Sequence, residues 1–304
     1  ISDEAFFGDS NLFDFMKLRV SYGILGNDQI PNNGYVGQLS GEATYLFDDV
    51  LTSGTAIGQL PNPELQWEEA KKFDIGLDFR LLSNKIDITT DYFINKRDNL
   101  LISNIPVSGI TGVFAPGGAA PTVNAGAVEN KGFEFAINYR DNYSEDFSIS
   151  TSYNITTLKN TVTEVNNSTG FLEGGSFSVG QPTISRMEAG QPMGYFYGYK
   201  TDGIFQNQSE VNEHPSQLAL GAEASPGDIR FVDVNNDGVL DADDRTNLGD
   251  PIPDLTMGLN LTLNYKNFDF TAYAFASIGN DMVRNYERTV TDVNRLNYVL
   301  DRWT

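Results

Sequence analysis

The run Asp233-Val-Asn-Asn-Asp-Gly-Val-Leu-Asp-Ala-Asp-Asp244 places side-chain oxygens at loop positions 1, 3, 5, 9 and 12, with Gly238 at position 6. That spacing wraps one hard cation. Asp233, Asn235, Asp237, Asp241 and Asp244 would supply side-chain oxygen, Val239 a backbone carbonyl, and the glycine allows the sharp turn. The chemistry is that of a structural Ca²⁺ site. The last ligand of such loops is usually glutamate, and Asp244 is one methylene shorter, so a weaker closure is expected. No amphipathic helical pattern flanks the loop, which argues against a sensor that opens a helix pair. The competing reading is a solvated acidic loop with Asn-Asp-Gly turn chemistry.

A second group with binding chemistry is aromatic. Tyr195, Phe196, Tyr197 and Tyr199 lie in a loop region and offer ring faces for sugars or peptide side chains. Gly194 and Gly198 suggest close backbone contact instead, so packing between loops is the competing reading. Catalysis finds little support, and no enzyme is expected. The single histidine, His214, sits beside Pro215 in a polar stretch and reads as a solvated side chain, and with no cysteine beside it the usual triads and zinc sites have too few candidates. Carboxylate pairs are numerous, but none is singled out by spacing.

The elements that carry these residues alternate with period two. Met16, Leu18, Val20 and Tyr22 share one face of a first strand, with Lys17, Arg19 and Ser21 opposite. The pattern returns with Phe73, Ile75, Leu77 and Phe79, then Ile86, Ile88, Thr90, Tyr92 and Ile94, then Phe133, Phe135, Ile137 and Tyr139, then Phe147, Ile149, Thr151, Tyr153 and Ile155. Leu255 to Tyr265 and Phe268 to Ala272 complete seven strands. Their connections alternate long and short. Gly23 to about Pro63 reads as a long loop, as does the stretch through Pro106, Gly109, Gly112 and Pro116 to Val128. The largest insertion spans 162–253 and holds the metal loop at 233–244; a last loop runs from Gly279 through Arg284 and Arg295.

Composition narrows the class. Across 304 residues the formal charge is −21, from 41 acidic against 20 basic side chains, which argues against nucleic acid and anionic membrane surfaces as partners. No apolar run is long enough for a membrane helix, a test to which a β-barrel is invisible. Alternation alone leaves two architectures open, a soluble β-sandwich and a membrane barrel. Strictly alternating long and short connections favour the barrel, as do Tyr92, Tyr139, Tyr153 and Tyr265, read as aromatic girdles near strand ends. The fold class expected is therefore an all-β, antiparallel transmembrane barrel segment with long extracellular loops. The chain begins at Ile1 without a signal peptide and stops at Thr304 in mid-pattern, and is read as part of something larger.

Several blocks, in order, carry a resemblance: Leu18-Arg-Val-Ser-Tyr-Gly-Ile-Leu-Gly-Asn27, Asn62-Pro-Glu-Leu-Gln-Trp-Glu-Glu69, Asn130-Lys-Gly-Phe-Glu134, Tyr197-Gly-Tyr-Lys-Thr-Asp-Gly-Ile-Phe-Gln206, Gly227 to Gly238, and Tyr265-Lys-Asn-Phe-Asp269. The chain resembles the SusC/RagA-type TonB-dependent outer-membrane transporters of Bacteroidetes over nearly its whole length. The resemblance implies the C-terminal part of a 22-stranded barrel in the bacterial outer membrane. It also implies a SusD-like surface lipoprotein as lid, energy from the TonB complex through a part absent here, and an oligosaccharide or peptide as cargo. On that reading Lys72, Asp74, Asp78, Arg80, Glu134, Asn138 and Arg140 line a lumen. The alternative in another class is a secreted, calcium-stabilised β-sandwich adhesin or glycan-binding module.

Overall fold

A computed structural model describes residues 13–30, 32, 34–37, 39, 41–58, 60–103, 120–175, 183–284, 296–301 and 303. The chain forms two compact units, Ile1–Gly170 with Asp254–Ile278, and Phe171–Pro253 with Gly279–Thr304.

The first unit is built on one seven-stranded antiparallel sheet in which every strand pairs with its sequence neighbour. The strands are β1 (Phe13–Asn27), β2 (Glu68–Leu81), β3 (Ile86–Asp98), β4 (Gly126–Ser144), β5 (Phe147–Val165), β6 (Leu255–Tyr265) and β7 (Phe268–Ile278). Residues paired across strands share a face, so the register decides whether the apolar stripes line up. They do: Val20 pairs with Ile75, Ile75 with Tyr92, Tyr92 with Phe133, Ile137 with Tyr153, and Tyr153 with Leu259. One face of the sheet is thus apolar from β1 to β6, and the other carries the polar partners.

Among the described residues of the unit, much of that apolar face is uncovered. Val20, Tyr22, Ile75, Tyr92, Phe133, Leu259 and Phe270 are all exposed. The buried apolar side chains described in the unit are Ala125, Ala127, Val128 and Val162, at the long-loop end of β4 and β5. A β-sandwich requires a second sheet over such a stripe; among the described residues of this unit there is none.

Charge bounds the stripe at both ends. Toward the long loops the apolar parity changes to Lys71, Lys96 and Lys131, which pair with Asp98 (2.6 Å) and Glu129 (3.1 and 3.4 Å). Toward the short turns it changes to Asp141, bonded by Lys85 at 2.8 Å. On β4 the stripe runs Phe133, Phe135, Ile137, Tyr139 between Lys131 and Asp141. That advance is about 34 Å along the strand. Tilted as barrel strands are, it projects to about 25 Å, the height of the apolar band of an outer-membrane barrel.

Two glycines open room on the polar face. A Cβ on Gly76 would lie 2.1 Å from an Asp91 carboxylate oxygen and 2.7 Å from the Arg19 guanidinium, so only glycine lets that ion pair cross β2. A Cβ on Gly132 would meet the Thr157 carbonyl at 2.0 Å and the Phe93 ring at 2.8 Å. The short turns use left-handed backbone: Leu82, Ser83 and Asn84 have φ of 57°, 59° and 61°, and Lys266 has 53°. Lys266 also donates its backbone N–H to the Asp146 carbonyl at 2.8 Å, which ties two neighbouring turns together. At the opposite end Asn124 donates to the carbonyls of Gln66 and Asn99, both at 2.9 Å, and accepts from the Gln66 N–H at 2.9 Å. This knits the Asn62–Glu69 block to the sheet.

The structure departs from the sequence reading in four places. Residues 41–56, read as loop, form a hairpin, Gly41–Phe47 paired with Val50–Ala56, around Asp48 and Asp49 at φ of 51° and 60°. A two-residue turn with both φ positive suits the strand twist, and acidic residues tolerate it. β5 continues to Val165, beyond the expected start of the insertion, because its ladder with β4 persists after the apolar alternation stops. Likewise β4 begins at Gly126, two residues inside the expected second loop. Tyr92 and Tyr153 lie in mid-strand rather than at strand ends; the ring cluster at the short-turn end is Tyr139, Tyr143, Phe147 and Tyr265. Pro106, Gly109, Gly112, Pro116 and Arg295 lie outside the described residues.

Gly76→Val should force Arg19 off Asp91 and cost about 1–3 kcal/mol by overpacking. The check is the urea midpoint of the full-length protein refolded in detergent; an unchanged midpoint would contradict the close approach.

Candidate functional site

The polar face of the seven-stranded sheet is divided by charge. Over β1 to β4 it is a web of ion pairs. Arg19 donates to Asp78 at 2.9 and 3.0 Å and to Asp91 at 3.0 Å. Asp87 receives Arg80 at 3.3 Å and Arg140 at 2.9 Å, and Arg80 also lies 5.1 Å from the centre of the Phe15 ring. Of the expected lumen residues, Asp78, Arg80 and Arg140 join this web; Lys72, Asp74, Glu134 and Asn138 share the face. Period two had put Arg19, Asp87 and Asp91 on this face, but only the register shows that they bridge strands. Over β5 and β6 the same face is uncharged: Ser148, Ser150, Ser152, Asn154 and Thr156 stand beside Asn264, Thr262, Asn260, Gly258 and Thr256.

The acidic loop lies in the second unit. The side chains of its five candidate ligands fold back on backbone N–H groups. Gly238 N–H donates to Asp233 at 2.9 Å, Asp237 N–H to Asn235 at 3.0 Å, Val239 N–H to Asp237 at 2.8 Å, and Asp243 N–H to Asp241 at 2.9 Å. Asp244 is fully buried and clamps the loop ends, accepting from Val234 at 2.8 Å and from Asp241 at 2.9 Å. Leu240 is buried with it. Among the described residues no group of three or more Asp, Glu, His or Cys is placed to hold a metal ion. The donor set is nonetheless all hard oxygen, and the second Asp233 carboxylate oxygen is buried without a hydrogen-bond partner. The folded-back carboxylates also keep further lone pairs, since each offers about four acceptor sites.

The three tyrosines alternate along the strand Tyr195–Tyr199, within a four-stranded sheet that also contains Phe171–Gly174, Ser185–Glu188 and Arg245–Gly249. Their rings are engaged by the protein itself. Tyr195 is buried and donates to Glu188. The Arg186 guanidinium, on a side chain only 10% exposed, is sandwiched between Phe171 at 3.9 Å and Tyr197 at 3.6 Å, with Arg245 over Tyr197 at 5.3 Å. Tyr199 meets Phe231 at 5.6 Å. Glu173 completes the stack, accepting from Arg186 at 3.0 Å and from Thr183 at 3.0 Å. Burial pushes the Glu173 carboxyl up, but these hydrogen bonds and the arginine charge outweigh it and hold the group below its usual value. Sequence reasoning missed Arg186, whose partners Phe171, Glu173 and Tyr197 lie on two other strands. His214 is half-buried rather than solvated, its ring edge-on to the buried Phe205 at 5.1 Å.

Comparison with known proteins agrees with this architecture. A family model described as TonB dependent receptor-like, beta-barrel matches residues 11–304. The chain is 32% identical over 287 residues to TonB-dependent receptor P3 of Formosa agariphila, covering 94% of this chain and 28% of that protein. It is 31% identical over 292 residues to TonB-dependent receptor SusC of Bacteroides thetaiotaomicron, covering 92% and 26%. A solved structure of the RagAB peptide transporter is similar in fold, with a TM-score of 0.67 and 20% identity over 90% of this chain and 28% of that one. The chain thus spans under a third of the length of the relatives it matches. With a one-layer sheet, an exposed apolar band and a family match over almost every residue, this chain belongs to the TonB-dependent receptor-like β-barrel family of outer-membrane proteins.

Proposed function

We propose that the protein to which this segment belongs imports nutrient oligomers, oligosaccharide or peptide, across the bacterial outer membrane, working with a SusD-like surface lipoprotein and with energy from TonB. The observation that carries the reading is the exposed apolar stripe bounded by charge rows at Lys131 and Asp141. Such a face is stable against acyl chains and costly in water. β1 and β7 are the sheet's edges, and an open edge is not tolerated in lipid, so further strands must pair with both. The names of the relatives supply the transport class: one is a TonB-dependent receptor, SusC, and one fold neighbour is a peptide transporter. The full-length protein is expected in the outer-membrane fraction, migrating anomalously on gels until heated. Cells lacking it should lose uptake of at least one oligomer class, as should wild-type cells treated with a protonophore. A soluble, heat-indifferent full-length protein would contradict the reading.

The loop 233–244 is assigned to one Ca²⁺, held by Asp233, Asn235, Asp237, Asp241, Asp244 and the Val239 carbonyl. The spacing supports this, together with the unpaired Asp233 oxygen. The bound ion would supply counter-charge to crowded carboxylates and stiffen the loop that faces ligand or lid. Chelation should accelerate proteolysis within 233–244 several-fold, and Asp233→Ala with Asp237→Ala should be cut fast with or without chelator. Equal cleavage of the wild type in calcium and in chelator would remove the ion from the account.

The neighbouring four-stranded sheet should weaken in acid. A carboxyl held below its ordinary value stabilises the fold fully above about 4.5, and that contribution fades as pH falls through the lower folded value. Limited proteolysis of residues 171–253 should quicken below that pH in the wild type, and Glu173→Gln should lose this dependence. An identical pH profile in the variant would show that the acid response lies elsewhere.

A further inference from the structure

The uncharged half of the polar face ends on an unusual strand. In the middle of β7 the residues on the apolar side are small, Ala272, Ala274 and Ala276 between Phe270 and Ile278, while the polar side there carries two large rings, Tyr273 and Phe275. Those rings are 70% and 63% exposed. The register sets each beside hydrogen-bonding groups two strands deep. Tyr273 pairs with Asn260, which pairs with Ser152. Phe275 pairs with Gly258, which pairs with Asn154.

Gly258 matters because it carries no side chain. A Cβ there would lie 3.2 Å from both amide atoms of Asn154, so the Asn154 amide lies across the glycine, in the row that ends at Phe275. The side chains of Ser152, Asn154 and Asn260 have no hydrogen-bond partner among the described residues, and Asn154 and Asn260 are exposed. The half over β1 to β4 differs in kind: it carries formal charge, part of it ion-paired, as in Arg19 with Asp78 and Asp91. On β5 to β7, unpartnered hydroxyl and amide groups thus share two rows with two exposed rings, and no charged side chain of those strands lies in either row.

We propose that these two rows form a contact site for a neutral oligosaccharide on the inner wall. Tyr273 and Phe275 receive the C–H faces of sugar rings, and Ser152, Asn154 and Asn260 bond their hydroxyls. The match is one of chemistry. Sugar rings present an apolar face and a hydroxyl rim, and amides both donate and accept, as a hydroxyl needs. A strip without charge holds no carboxylate or ammonium partner for an ionic cargo, and it imposes no cost of desolvating one. The proposal rests on the importer reading and names the cargo class within it.

The test uses the full-length protein in detergent, titrated calorimetrically with linear hexamers of glucose, xylose, mannose and galactose, and with uncharged peptides of similar length. At least one hexamer is expected to bind, and the peptides are not. Tyr273→Ala with Phe275→Ala should weaken that binding by about tenfold, the loss of two ring contacts of moderate strength. Asn154→Ala should weaken it several-fold, and Phe275→Tyr should restore near wild-type affinity. Heat-dependent gel migration of each variant shows that the barrel is assembled, so lost binding is not lost folding. Binding of peptides but no hexamer, no binding of either, or hexamer binding indifferent to the two rings would each overturn the proposal. Failure of the importer reading would appear separately, as absence from the outer-membrane fraction, whatever the titration gives.

Discussion

A single β-sheet with its apolar side uncovered is the condition under which everything else in this chain makes sense. The stripe from Leu18 to Phe270 is continuous because cross-strand partners share a face and the register never slips by one across the seven strands in their central parts. In water such a surface would collapse onto itself or onto another chain. Against hydrocarbon it is stable provided that every backbone group is paired, and a fully closed ladder meets that requirement. The charge rows at Lys71, Lys96 and Lys131 on one side and at Asp141 on the other mark where hydrocarbon must give way to water.

The polar face follows from the same alternation but is put to a different use. Its ion pairs bridge strands, so they stiffen the wall while leaving little net charge exposed there. Arg19 reaches Asp91 across Gly76, and Asp87 gathers Arg80 and Arg140. Where pairs stop, at β5, the face turns to serine, threonine and asparagine. The polar face of one sheet is thus divided into two unlike stretches. The loop-bearing unit has its own rigidity, from the Arg186 stack and from the Asp244 clamp, neither of which depends on the sheet.

The parts of this structure legible in the sequence were those written in short periods. Phe73, Ile75, Leu77 and Phe79 announce a strand without knowledge of any neighbour. Where the period ends, legibility ends with it: β5 runs on past Ile155 through Leu158, Lys159 and Asn160 because its hydrogen bonds to β4 continue, and hydrogen bonds leave no mark on composition. The hairpin around Asp48 and Asp49 hid because its signal is turn chemistry flanked by two short apolar runs, Tyr45-Leu46-Phe47 and Val50-Leu51, without period-two alternation. Spacing alone brought the acidic loop to notice, since its candidate ligands are close in sequence. The Arg186 stack could not be found that way, as Phe171, Tyr197 and Arg245 come together only once four strands pair. Tyr273 and Phe275 were likewise invisible as a site, because their parity against Ala272 and Ala274 has meaning only after the register with β6 is known.

The central claim is that the two faces of this sheet meet different solvents. The segment has no cysteine, so single-cysteine substitutions in β6 of the full-length protein, cleared of any cysteines elsewhere, can carry a spin label. Labels at Leu259 and Leu261 in bilayers should be relaxed strongly by oxygen and weakly by a water-soluble nickel chelate, and labels at Asn260 and Thr262 should show the reverse. Loss of that alternation, with the nickel chelate reaching Leu259 and Leu261 as readily as Asn260, would contradict the account.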